Sequence, residues 1–314
     1  MNPGGAAIHA ARVALAIGLV ALVISTTDLA AVARALGGAN PWIVFPALAG
    51  LAAVHLVSAG AWWWMGGTEL RRRLGLVQAT GIYYVAQALG AVTPANLGGD
   101  VYRVTRLRQA GMGWLSASAP VAVQRGTNYL ALALLAFVAF AATTPSGNTA
   151  LAMVGGLVAA LIAIASAVLL SRPSWLRRRM PQVGGTTESR LGLRVLGIGV
   201  FSGLLFHMLA IGATWAILVA VDPRLNTAAV LAAVAVARLA IAVPITPSGI
   251  GVQEGALAVL VAATGGPASA AVAGMLLARG GLLLTMVLGV VAWVAPRRRH
   301  PAVPPSFAVS TRQR

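Results

Sequence analysis

Along this chain, apolar runs long enough to cross a bilayer alternate with short polar or arginine-bearing connectors. A helix needs roughly 20 apolar residues to span the hydrocarbon core. Runs approaching or exceeding that length lie at Val13–Thr27, Trp42–Met65, Trp114–Ala142, Leu151–Leu170, Val195–Val221 and Ala268–Ala295. Each is read as a full crossing, and Asp28–Leu36 as a short amphipathic segment. Trp62, Trp63 and Trp64 end the second run and suit a headgroup-level aromatic belt. Gly199 and Gly203 have the small-residue spacing that lets membrane helices approach closely.

Two further apolar stretches do not run through. Leu76–Val92 breaks at Thr93-Pro94-Ala95-Asn96-Leu97-Gly98-Gly99-Asp100. Thr227–Ile245 breaks at Thr246-Pro247-Ser248-Gly249-Ile250-Gly251-Val252-Gln253-Glu254, and Ala256–Ala263 leaves to the side from which it came. Pro94 and Pro247 remove amide donors, while Gly98, Gly99, Gly249 and Gly251 permit positive φ, so neither segment is a continuous helix. At membrane depth a broken backbone survives only inside protein or beside a water-filled cavity. Both segments are therefore predicted as apices of re-entrant hairpins lining one site.

Composition sets the medium. The 314 residues are 59% hydrophobic and 9% charged, with a mean hydropathy of +0.85. A soluble domain carries roughly 25% charged residues. The chain has no cysteine, which excludes disulfide and thiolate chemistry. All 23 basic residues are arginine and the formal net charge is +17. In a polytopic membrane protein that charge reads as positive-inside bias, not nucleic-acid binding. Arg71–Arg73, Arg103, Arg106 and Arg108, the loop Ser171–Arg194 and Arg297–Arg299 then lie on the cytoplasmic side. About 18 arginines fall inside, about 2 outside and about 3 at membrane depth.

The predicted fold is an all-α polytopic membrane protein with six full transmembrane helices and two re-entrant helical hairpins in an inverted repeat. A single integral membrane domain covers 1–295, with pseudo-repeats of about 10–145 and 150–295. Residues 296–314 form a disordered cytoplasmic tail rich in proline and polar residues. The chain sits in the plasma membrane with both termini cytoplasmic. Interrupted segments at matching positions of two inverted halves point to a transporter's binding site.

Arg125, Arg238 and Arg279 fall within apolar stretches, at roughly 2.5–3.5 kcal/mol each on insertion scales. Asp100 and Glu254 are the acids at the two apices. Two readings stand together: salt bridges that hold hairpins against spans, and an anion site made from guanidinium groups and helix N-termini. Arg103 is either ordinary positive-inside charge or part of a funnel for anionic headgroups, with Arg106 and Arg108. Asn96 and Gln253 are either turn residues or headgroup hydrogen-bonders. Tyr83, Tyr84 and Gln87 pack or line the cavity. His207 is read first as an interhelical hydrogen-bonder and second as a proton relay. Metal clusters, phosphate-binding loops and dinucleotide fingerprints are absent from the sequence, so no metal, no cofactor and no catalytic residue are expected.

Pro94, Asn96, Gly98, Gly99, Asp100 and Arg103, with Pro247, Gly249, Gly251 and Glu254, resemble the paired motifs of the flippase-like family named for the transmembrane domain of lysylphosphatidylglycerol synthases. The resemblance runs from about Arg12 to Ala295. Where family members tend to place acids on either side of the intramembrane arginine, this chain has Gln124 and Asn128 around Arg125. The resemblance implies movement of anionic or aminoacylated phospholipids, or other polar lipids such as polyprenyl-linked ones, between leaflets. The soluble aminoacyl-transferase domain of the synthases is not in this sequence, so an enzyme is not expected. The alternative is a non-transporting partner that presents a lipid-linked substrate to a separate glycosyl- or aminoacyl-transferase. A small-ion or solute transporter would use the same cavity. The sequence leaves the oligomeric state open.

Overall fold

The computed structural model describes residues 29–91, 93, 96–143, 193–239 and 249–294. Every regular element among them is helical: α1 (Leu29–Gly38), α2 (Pro41–Ala53), α3 (His55–Met65), α4 (Gly67–Arg73), α5 (Leu76–Ala91), α6 (Leu97–Gln109), α7 (Trp114–Thr143), α8 (Leu193–Val221), α9 (Thr227–Arg238), α10 (Val252–Ala263) and α11 (Ala268–Val294).

Four stretches are long and apolar enough to cross a membrane: Pro41–Met65, Trp114–Ala139, Arg194–Val221 and Ala268–Ala292. They correspond to four of the six expected crossings. The other two, Val13–Thr27 and Leu151–Leu170, lie outside the described residues, as do Pro94, Pro247 and the 296–314 tail. Large apolar side chains point outward along these helices, including Trp42, Phe45, Phe201 and Val291. In water that surface would be a liability, and against lipid tails it is matched to its solvent.

The crossing Pro41–Met65, the second run of the sequence, is built from two helices that meet at Val54. Its ladder tightens at Val54, where the Val57 N–H bonds back three residues to the Val54 carbonyl at 3.1 Å. His55 sits at this irregularity. The arginine triplet after it is helical as well, forming the last turn of α4.

Helices α5 and α6 form a tight antiparallel hairpin. A Cβ added at Gly99 would overlap the Ala86 carbonyl, and one at Gly98 would press on Thr93 and the Leu89 carbonyl. These two glycines are therefore needed for close backbone approach. Neither takes the positive φ expected of it. Asn96 does, at φ 56°, as the residue that starts α6. Gly249 (φ 68°) and Gly251 (φ 82°) do adopt the left-handed geometry before α10.

The packing order is reciprocal. Helix α5 runs along α11, and α9 runs along α7. Helix α6 rests on α7, and α10 on α11. One apolar cluster joins α3 to α7 through Trp62, Leu70, Tyr83 and Leu107. A second joins α2 with α8 to α11 through Ile217, Leu218, Val230 and Leu257. Gly199 and Gly203 bring α8 onto α7, since a Cβ at either would crowd Thr127 or Asn128 and Ala131. The close-packing role read from their spacing holds.

Candidate functional site

A cavity of about 250 Å³ draws its walls from both groups of helices. The same measure needs only roughly 10–15 Å³ for one water, so this space admits a polar group of several atoms. Asn96, Asp100, Arg103, Arg125, Arg238, Gln253 and Arg279 all line it. Glu254 stands behind Arg279. The residues singled out on separate stretches of sequence thus converge on one place.

Depth follows from helix arithmetic. Arg125 is eleven residues into Trp114–Ala139, and Arg279 is eleven residues into Ala268–Ala292. At a rise of roughly 1.5 Å per residue, each guanidinium belongs to a residue about 17 Å along its crossing, near the middle of a ~30 Å core.

Asp100 is the hub of the first half. Its Oδ1 accepts from Arg103 at 2.6 Å, and its Oδ2 accepts from Arg125. Arg103 is buried, donates to Gln124 Oε1 at 2.5 Å, and lies over the rings of Tyr83 and Trp62 at 5.1 and 5.6 Å. Gln124 passes the chain on to the Ser58 carbonyl at 2.6 Å. Arg125 also donates to the Tyr129 hydroxyl at 3.1 Å. Trp62 is fully buried beneath Arg103, which corrects its expected place in an interfacial belt. Trp64 keeps a peripheral role, with Arg71 and Arg194 over its ring.

Of the three arginines on α6, only Arg103 turns into the cavity. Arg106 donates to Gln109, and Arg108 caps the helix end through the Met112 carbonyl at 3.0 Å. Cations suit a helix C-terminus, so the expected funnel of all three is not formed by these contacts.

In the second half, Glu254 holds two partners. Its Oε1 accepts from Arg279 Nε at 2.7 Å, and its Oε2 accepts from the Gly251 amide at 2.8 Å. This capping arrangement fixes the start of α10. Gln253 beside it is 2% exposed, with its amide nitrogen unpartnered among the described residues. Arg238 ends α9, and its buried Nε has no hydrogen-bond partner there either. It lies within Coulombic reach of His55, His207 and Arg279.

His207 bonds the Asn128 carbonyl through Nε2 at 3.1 Å, which is the interhelical role read first from the sequence. That bond places the ring proton on Nε2 and leaves Nδ1 as a buried, unpartnered acceptor. His55 is the residue that sequence reasoning missed. It faces the cavity, where its Nδ1 pairs with Gln87 Nε2 at 2.9 Å. A lone imidazole in an apolar crossing was the available signal. Tyr84, by contrast, packs away and donates to the Ala52 carbonyl.

Four guanidinium groups therefore face two carboxylates in a mostly apolar shell. Three arginines are ion-paired, and two positive charges remain in excess. Among the described residues no group of three or more His, Cys, Asp or Glu can hold a metal ion.

The family described as lysylphosphatidylglycerol synthase TM region matches residues 9–289. The chain belongs to that family, which gives it a membrane location and points to a lipid-related membrane function. A comparison with curated proteins gives no significant match.

Proposed function

We propose that this member of the lysylphosphatidylglycerol synthase transmembrane-region family is a lipid translocator. It moves an anionic or aminoacylated phospholipid, or another polar lipid, between leaflets. The supporting observation is the cationic cavity that both halves line, with arginines halfway along two crossings. A headgroup sits there while its acyl tails remain in lipid.

The hairpin reading rests on length. Helix α5 has 16 residues, α6 has 13, and α9 and α10 have 12 each. At ~1.5 Å per residue the longest reaches only about 24 Å, short of a ~30 Å core. The pairs α5–α6 and α9–α10 then enter from opposite faces and meet at the cavity. An inverted repeat is supported by the reciprocal packing of α5 on α11 and α9 on α7. The spacing of Asp100 to Arg125 and of Glu254 to Arg279, 25 residues in each half, supports it further. Alternating exposure of such a site is the mechanism this architecture serves. The plasma membrane, cytoplasmic termini and a non-enzymatic role complete the proposal.

Reconstitution into liposomes with a panel of labelled headgroups tests it. Wild type is expected to move label to the opposite leaflet, and Arg238→Ala or Glu254→Ala to abolish movement. Label that stays put with every headgroup, while the protein co-purifies with a transferase, would instead favour presentation of a lipid-linked substrate.

A further inference from the structure

Charge pairing divides the cavity into an occupied side and an open side. On the α6–α7 side every strong group is spoken for. Asp100 accepts from Arg103 and Arg125, Arg103 also from its side reaches Gln124, and Arg125 reaches Tyr129. Elsewhere in the lining, buried polar atoms without a hydrogen-bond partner among the described residues include Arg238 Nε, Gln253 Nε2 and His207 Nδ1. Two are donors on cavity-lining residues, and one of those carries a full positive charge. A buried donor left unmade costs about as much as a lost hydrogen bond, and more when it is charged. Unmet donors on two residues that line one cavity, together with surplus positive charge, call for an anion.

The carboxylates decide what else the ligand can carry. The chain has six acidic residues in all. Glu69 and Asp222 pair with Arg73 and Arg224 away from the cavity, and Asp28 and Glu188 lie outside the described residues. Asp100 and Glu254 are already engaged by arginines. A cationic substituent would enter a site with two excess positive charges and no uncommitted carboxylate among the described residues. For a hydroxyl, in contrast, the lining residue His207 keeps an uncommitted acceptor at Nδ1 among the described residues.

Resting on the translocation reading above, we infer that Arg238 and Gln253 form the phosphate subsite of this cavity. Its ligand is a phosphate ester whose remaining headgroup is hydroxylated and uncharged, not an aminoacyl or choline-type cation. Arg238 supplies the planar donor face, Gln253 adds an amide donor, and His207 accepts from a hydroxyl.

Equilibrium dialysis of radiolabelled glycerol phosphate against the full chain in non-ionic detergent tests this. Competitors are inorganic phosphate, glycerol, phosphocholine and a short-chain phosphatidylglycerol. Glycerol phosphate is expected to bind and phosphocholine to compete at least tenfold less well. Arg238→Gln is expected to weaken binding roughly tenfold or more, the effect of one charged hydrogen bond. Should that variant elute as aggregate, Arg238→Lys and Gln253→Leu are each expected to lose several-fold. Full binding in the monodisperse variants, or phosphocholine competing as well as phosphatidylglycerol, overturns the assignment. If inorganic phosphate competes and phosphatidylglycerol does not, the subsite stands with a soluble phosphate as its source, and lipid translocation falls. If the lipid competes but liposomes show no transfer, the subsite stands and the chain presents lipid without moving it.

Discussion

The two carboxylate–guanidinium pairs share a 25-residue spacing yet are reinforced in different ways. Asp100 gathers two arginines, one of which has a glutamine and two aromatic rings as further support. Glu254 pairs with Arg279 and spends its other oxygen on a backbone amide of its own helix start. The first half is thus a braced network, and the second combines a clamp with Arg238, whose buried Nε has no hydrogen-bond partner among the described residues. Two carboxylate–guanidinium pairs at the same spacing can thus differ in what their surroundings offer a ligand.

The largest expected effect is in the second half. Glu254→Ala removes the carboxylate from Arg279 and frees the Gly251 amide at once, and breaking a buried pair costs about 3–5 kcal/mol. The melting temperature in detergent should fall well below wild type, and Glu254→Gln should recover part of the loss by keeping the cap. Next comes Gly99→Ala, where the new Cβ would overlap the Ala86 carbonyl and force α5 from α6. Overpacking of that kind costs about 1–3 kcal/mol. Gly60→Ala, with open space around it, is the matched control and should be neutral or stabilising.

Asp100→Asn is expected to cost less than Glu254→Ala, because Arg103 keeps Gln124 and the ring faces and Arg125 keeps Tyr129. If the two losses prove equal, the contrast between halves is wrong. The smallest effect lies outside the membrane. The Asp222 carboxyl is held below the ordinary aspartate range chiefly by the side-chain hydrogen bond from Arg224. A depressed folded value stabilises above the unfolded pKa of about 3.9 and is lost as pH falls through the folded one. Arg224→Gln should therefore lower the melting temperature slightly at neutral pH, and the difference from wild type should vanish on acidification.

Much of the architecture was legible because bilayers impose lengths. Crossing runs, the shorter apolar helices, and the charges that interrupt apolar stretches are all one-dimensional signals. The Asn96 and Gly251 regions were legible as helix starts through their turn chemistry, although the left-handed residue of the first was Asn96 and not its glycines. The side of its helix that His55 presents and the burial of Trp62 were not legible. Each depends on a helix face that only packing against α5 and α6 selects.

Sequence by itself determined the solvent of this protein, its breaks and its shortage of acids, since those follow from composition and local backbone chemistry. It also named the arginines that must find partners. Tertiary structure alone decided which arginine each carboxylate took. Pairing at 25 residues' separation depends on where two helices cross, and no local pattern encodes that.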